Sequence, residues 1–172
     1  MNIRTAELKD CAALARIQVN SYRTAYAGLM PPAYLAAFSY EEQELDWANL
    51  LKTSPDLLLV AEEDPGRVVG YALARQTLRD ETGFDCELVA LHVAREQHRR
   101  GYGRALVSEA ARRMHAQGCR SLNLWVLDGN PARQFYEHLG GVAYGEQFHE
   151  IEELSHRFRE VGYAWEKIED LF

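Results

Sequence analysis

The stretch Leu91-His-Val-Ala-Arg-Glu-Gln-His-Arg-Arg-Gly101-Tyr-Gly103-Arg-Ala-Leu-Val107 decides how this chain is read. An apolar, β-like segment, Cys86 to Val93, leads through a basic turn with two glycines into a helical pattern that runs from Gly101 to Gln117 and stops at Gly118. Glycines let an anion approach backbone N–H groups closely, and a helix N-terminus adds partial positive charge. Arg99, Arg100 and Arg104 bring full charges to the same place. A third glycine in dinucleotide spacing and the G-x-x-x-x-G-K-[ST] loop are both missing, which disfavours those two nucleotide-binding readings. A tight turn without a ligand is the alternative.

Charge points the same way. The 172 residues hold 19 Lys+Arg against 26 Asp+Glu, a net charge of -7. Between Arg95 and Arg120, however, seven arginines face only Glu96 and Glu109, a local +5, so the remainder carries -12. An acidic whole argues against nucleic acid, which needs a broad positive field. A small, highly anionic ligand on one basic segment fits better. Length and a hydrophobic share of 47% describe one ordinary domain over residues 1-172, with a core that needs no staples. Cys11, Cys86 and Cys119 are widely spaced and suggest neither disulfides nor a zinc site. His138, His149 and His156 have no ligand spacing, so no metal is expected. The opening MNIRTAELKD has no hydrophobic stretch behind its charges and no apolar run reaches membrane length, so a cytoplasmic protein without a membrane partner is expected.

Outward from the central turn, Asn2 to Thr5 is β-like, and apolar residues recur at helical spacing from Leu8 to about Arg23. Pro31-Pro32 opens a short helix, and Ser39 with Glu42 matches an N-cap pattern for another reaching about Lys52. Leu57 to Ala61 and Val68 to Arg75 form a hairpin about Asp64-Pro65-Gly66. Cys86 to Val93 reads as a strand buried on both faces, with Glu87, Val89, Leu91 and Val93 on one side and Leu88, Ala90 and His92 on the other. Ser121 to Leu127 is a strand, Asn130-Pro131 opens a short helix to Leu139, and β-like segments near Val142 to Ile151 and Gly162 to Ile168 follow. The result is a mixed sheet with helices on its faces, not an alternating βαβ array.

Two motifs now stand in order: His98-Arg99-Arg100-Gly101-Tyr102-Gly103, and Asn130-Pro-Ala-Arg-Gln-Phe-Tyr136-Glu-His-Leu-Gly140. Together they resemble the GNAT superfamily of acetyl-CoA-dependent N-acetyltransferases, whose marks are Q/R-x-x-G-x-G/A between a central strand and a helix, and an N-x-x-A-x-x-x-Y-like segment ending in glycine. The resemblance spans about residues 2 to 168. His98 departs from the usual Gln or Arg. The implied fold is α+β, a central, mostly antiparallel twisted sheet of about seven strands with about four helices on its faces.

The resemblance also implies roles. The acetyl-CoA pyrophosphate would sit on the turn of His98, Arg99, Arg100, Gly101, Tyr102, Gly103 and Arg104, and pantetheine would run along Leu91, His92 and Val93, whose backbone would orient the thioester carbonyl. Tyr136 matches the tyrosine that protonates the leaving thiolate; packing beside Phe135 is its alternative. Glu87 lies where several relatives place a general base for the amine, with an arginine pair as its alternative and His92 as a second candidate base. Asn130 would touch pantetheine or cap the helix behind it. Tyr22 and Tyr26, four apart on one helical face, fall in the region that shapes acceptor pockets. The acidic run Glu146, Glu150, Glu152 and Glu153 would attract a cation or form a solvated face.

The expected activity is acetyl transfer to a primary amine of a small molecule or peptide by direct attack in a ternary complex. The negative charge mildly favours a cationic acceptor, and homodimerisation is implied by resemblance only. A non-catalytic acyl-CoA-binding or regulatory domain is the competing reading; Tyr136 and Glu87 favour catalysis, because a pure binder needs neither.

Overall fold

The computed structural model describes residues 1–79, 83–151 and 156–172. Seven strands make one sheet in the order β1-β2-β3-β4-β5-β7-β6. They are β1 (Asn2–Thr5), β2 (Leu57–Glu62), β3 (Val68–Gln76), β4 (Cys86–Val93), β5 (Leu122–Leu127), β6 (Val142–Ile151) and β7 (His156–Trp165). Every neighbouring pair is antiparallel except β4 and β5. Among the described residues five α-helices accompany the sheet: α1 (Cys11–Ala25), α2 (Pro32–Ala37), α3 (Tyr40–Thr53), α4 (Tyr102–Ala116) and α5 (Ala132–His138).

Local chemistry accounts for the helix starts. Pro32 occupies the first turn of α2, where its missing N–H costs nothing. At α3 the Ser39 hydroxyl accepts from the Glu42 N–H at 3.3 Å, the first half of the expected capping pair, and donates its own proton to Glu41 at 3.0 Å; the reciprocal bond from the Ser39 N–H to the Glu42 carboxylate is absent among the described residues. The helical pattern read from Leu8 begins as a single 3-10 turn, and α1 proper starts at Cys11. The last strand starts at His156, six residues before the expected Gly162, because the β6–β7 ladder continues to Ile151↔His156. Ile168 lies instead in a closing 3-10 turn.

Apolar side chains alternate along the strands and so build two cores. On one face Leu14 and Ile17 of α1 and Trp47 of α3 pack against Leu58, Val60, Tyr71 and Leu73. On the other, Leu106, Ala110 and Met114 of α4 pack against Leu59, Ala72, Leu88 and Leu124, and α5 adds Phe135 and Tyr136. Burying each such side chain contributes about 1.5–3 kcal/mol. The start of the chain is tied down by charge: Arg4 on β1 donates to Asp10 at 2.7 and 2.9 Å and to Glu62 on β2 at 2.7 and 3.0 Å.

Strand β4 departs from the sequence expectation in a way that creates the site. Its burial is complete only at Cys86 and Leu88, and Val89 is 39% exposed. Leu73 pairs with Ala90 but Ala74 pairs with Leu88, so Val89 is an extra residue, a bulge. The bulge shifts the alternation by one. Leu88, Leu91 and Val93 therefore face the α4 core, whereas Glu87 shares the α1 face with Ala90 and His92. Pairing with β5 is confined to Cys86↔Leu122 and Glu87↔Asn123. Beyond it the two strands part, which is why the expected double burial of the strand fails.

Candidate active site

The turn between β4 and α4 carries two residues in the left-handed region, Arg99 at φ +62° and Gly101 at φ +88°. A non-glycine residue at positive φ is uncommon and marks a backbone held in a special shape. The shape aims donors outward: among the described residues, the backbone N–H groups of Arg99 through Arg104 have no acceptor, and the first helical bond is Ala105 N–H to Gly101 at 3.0 Å. Successive N–H groups of this kind, at the positive end of a 15-residue helix, form an anion-binding concavity. These unpaired donors are the observation that fits a diphosphate.

The side chains around the turn divide the work. Arg99 and Arg104 line the cleft. Arg100 does not; its guanidinium turns to Gln97 at 2.6 Å and Glu63 at 3.0 Å, leaving only its backbone to the cradle. His98 bonds through Nε2 to the Val93 carbonyl at 2.9 Å, so the residue that departs from the family pattern closes the loop against the end of β4. Tyr102 lines the cleft but is 95% buried in the α4 core.

The parted strands open a cleft of ≈ 1420 Å³. Leu91, His92 and Val93 line its β4 wall, and Asn130 and Tyr136 its α5 wall. Helix α5 is held from three sides. Asn130 Oδ1 accepts from the Ala132 N–H at 2.9 Å, the capping role; Tyr163 donates to Glu137 at 2.6 Å; and Trp165 donates to the Leu139 carbonyl at 2.9 Å. Tyr136 is buried beside Phe135 and Tyr163, at 5.3 and 6.3 Å between ring centroids. Burial pushes its phenol above the ordinary value, and its hydroxyl has no hydrogen-bond partner among the described residues.

On the opposite wall Tyr22 and Tyr26 both line the cleft, with ring centroids 4.8 Å apart. Burial raises the Tyr26 phenol, and Tyr22, Tyr136 and Glu160 push it further. His92 is stacked between Tyr71 at 5.3 Å and Tyr22 at 5.8 Å, and burial pushes its pKa down to about 4. It is therefore a neutral imidazole at pH 7.

Glu87 is not brought together with these residues. It is absent from the cleft lining and holds Arg75 through two bonds of 2.6 and 3.0 Å. The arginine pair is thus the arrangement present, because the Val89 bulge shifts the register so that Glu87, and not Leu88, stands opposite Arg75. Of the acidic run, Glu146 pairs with Arg159, Glu150 is exposed, and Glu152 and Glu153 lie outside the described residues. Trp125 in the cleft lining, and Glu160 on β7, outside the lining but on the same sheet face, escaped the sequence reading. Both sit in alternating strands that mark no ligand, and only their cross-strand neighbours single them out.

A mixed sheet that parts between β4 and β5, with unpaired backbone donors at the mouth of the gap, is the architecture that the resemblance to acyltransferases implied. Residues 20–141 match the model of the acetyltransferase (GNAT) family. Over 165 residues the chain is 32% identical to an uncharacterized N-acetyltransferase, YuaI, of Bacillus subtilis, covering 96% of this chain and 92% of the relative. The chain belongs to the GNAT acetyltransferase family and is an acyltransferase enzyme. The same fold occurs in an N-acetyltransferase of Staphylococcus aureus Mu50, at TM-score 0.75 and 16% identity over 97% of this chain and 98% of that one. It also occurs in a phosphinothricin acetyltransferase of Sinorhizobium meliloti solved with AcCoA, at TM-score 0.69 and 22% identity over 95% and 86% of the two chains.

Proposed function

We propose that this enzyme transfers the acetyl group of acetyl-CoA to a primary amine of a small molecule or peptide by direct attack in a ternary complex. The observation that carries the reading is the row of unpaired backbone donors at Arg99 to Arg104, set at the open end of the β4–β5 gap. The Sinorhizobium enzyme of the same fold was solved with this cosubstrate. Acetyl-CoA, when bound, supplies the acetyl group as an activated thioester. The chain supplies the rest. The turn, with Arg99 and Arg104, would hold the diphosphate, and the free edge of β4 at Leu91 to Val93 would align pantetheine and the thioester carbonyl. Asn130, whose Oδ1 is committed to its cap, would offer only Nδ2. Tyr136 would donate its proton toward the departing sulfur. Tyr22 and Tyr26 would wall the acceptor side.

Calorimetry with coenzyme A, followed by an amine panel read by thiol release and intact mass, tests this. Uptake of coenzyme A with acetylation of at least one amine is expected; a folded protein that takes up no coenzyme A would sink the proposal. The same reading takes the enzyme as a cytoplasmic homodimer, for which light scattering is the check of oligomeric state.

The two candidate bases differ in placement. Glu87 is bound to Arg75 outside the cleft, whereas His92 is the titratable side chain of β4 that lines it. Glu87→Gln is expected to keep kcat within roughly three-fold of wild type and to retain the acidic limb of the pH–rate profile. Loss of that limb would return the base role to Glu87.

A further inference from the structure

Glu160 is a carboxylate that the fold does not use. It stands opposite Leu127 on β5 and Gln147 on β6. It is half-buried, and its side-chain hydrogen bond among the described residues is donated by the Gln147 amide at 2.8 Å. Glu146 on the neighbouring strand is held by Arg159; Glu160 has no ion pair among the described residues.

Its surroundings are aromatic. Strand alternation puts Glu160 on one face with Phe158 and Gly162 and, across the ladder, with Trp125 and Leu127. Leu127 and Phe158 pack against Tyr26, and Trp125 lines the cleft. The rings lie close on the strand because residue 162 is glycine: a Cβ there would stand 2.5 Å from Tyr144 and 2.9 Å from Trp125. Glu160 is not itself among the residues that line the cleft; it shares a sheet face with Trp125, which does, and its charge is felt by the cleft phenols of Tyr22 and Tyr26.

A carboxylate near half-buried aromatic rings is a surrounding that stabilises an ammonium. Nearby arginines do not satisfy it. Arg159 is directed to the other face, bound by Glu146 and Asp128, and Arg23 is held by the Phe38 carbonyl at 2.8 Å and stacked on Tyr40. Arg16, also in the lining, lies six residues before Tyr22, about 9 Å along the helix axis.

We infer that Glu160, with the rings of Trp125 and Tyr26, forms a subsite for a second positive charge on the acceptor, so that the preferred substrate is a short diamine or another amine with a distal ammonium. This rests on the acetyl-transfer reading of the cleft and names the acceptor class for it. In the absence of turnover the subsite would still bind the amine, which keeps the two ideas separable.

The test compares 1,4-diaminobutane with n-pentylamine, which matches it in length and lacks the second charge. Calorimetry on the coenzyme A-loaded protein is expected to show the diamine binding at least about ten-fold tighter than the monoamine. Glu160→Gln, which keeps an oxygen to accept from Gln147, is expected to abolish that preference while coenzyme A affinity and the thermal midpoint stay unchanged. In turnover, kcat/KM should show the same preference and the same loss. Equal binding of the two amines by the wild type, or a preference that survives Glu160→Gln, overturns the inference. Diamine binding without acetylation would instead count against the acetyl-transfer reading and leave the subsite supported.

Discussion

Tyr136→Phe is expected to lower kcat by roughly ten-fold or more while leaving KM for acetyl-CoA nearly unchanged, a threshold set below the 10²–10⁴-fold range of positioned proton donors. The substitution removes one oxygen and keeps the ring packed against Phe135 and Tyr163, so the helix that carries it should stay in place. The hydroxyl is suited to the task because burial holds the phenol protonated and no partner in the described fold takes its proton. A thiolate leaving with a pKa of about 8.5 is a weaker base than a phenolate of about 10. The donor therefore acts chiefly through a hydrogen bond that strengthens as charge reaches sulfur, and the expected loss sits at the lower end of the range. Steady-state kinetics with the best amine of the panel is the measurement; an unchanged kcat would retire the acid role and leave Tyr136 as core.

The largest stability effect is expected at Asp10→Ala, far from the cleft. Asp10 is 4% exposed and accepts two bonds from Arg4 and one from the Glu7 N–H at 2.8 Å. Removing it leaves a largely buried guanidinium with one carboxylate fewer, a change that costs about 3 kcal/mol. For a domain of this size the unfolding midpoint should fall by roughly 6–12 °C. A loss below about 1 kcal/mol would show that the network behaves as an exposed pairing. The pH dependence supplies a second readout. Burial acts to raise the Asp10 pKa, but the Arg4 and Glu7 bonds outweigh it and hold the group below its ordinary value. With the folded value below the unfolded one, about 3.9, the contribution is complete above that pH and is lost as pH falls through the folded value. Wild type and variant should thus differ by a constant amount from about pH 5 to 7 and converge in stronger acid.

The features that could be read before folding are those written in short spans. Glycines at 101 and 103 after a basic run, a helical period behind them, a proline or serine at a helix start and an asparagine ahead of α5 each act within one turn of chain. Spacing therefore located the turn before α4 and the helices, and the two motifs carried the family resemblance. The proline-glycine turn at Pro65-Gly66 likewise set the β2–β3 hairpin.

What stayed hidden depends on partners remote in the chain. Arg100 leaves the cradle because Glu63, 37 positions earlier, lies within 3.0 Å of it. Glu87 becomes an ion-pair residue because Val89 bulges out of register with β3, and the parity that seemed to place it with Leu91 is broken by that one residue. Glu160 acquires its aromatic surroundings from α1, β5 and β6 at once. Local patterns encode backbone shape, since dihedral preferences and caps act over a few residues. The direction of a side chain, and the charge it meets there, is settled only when strand register and helix packing bring distant groups to the same point.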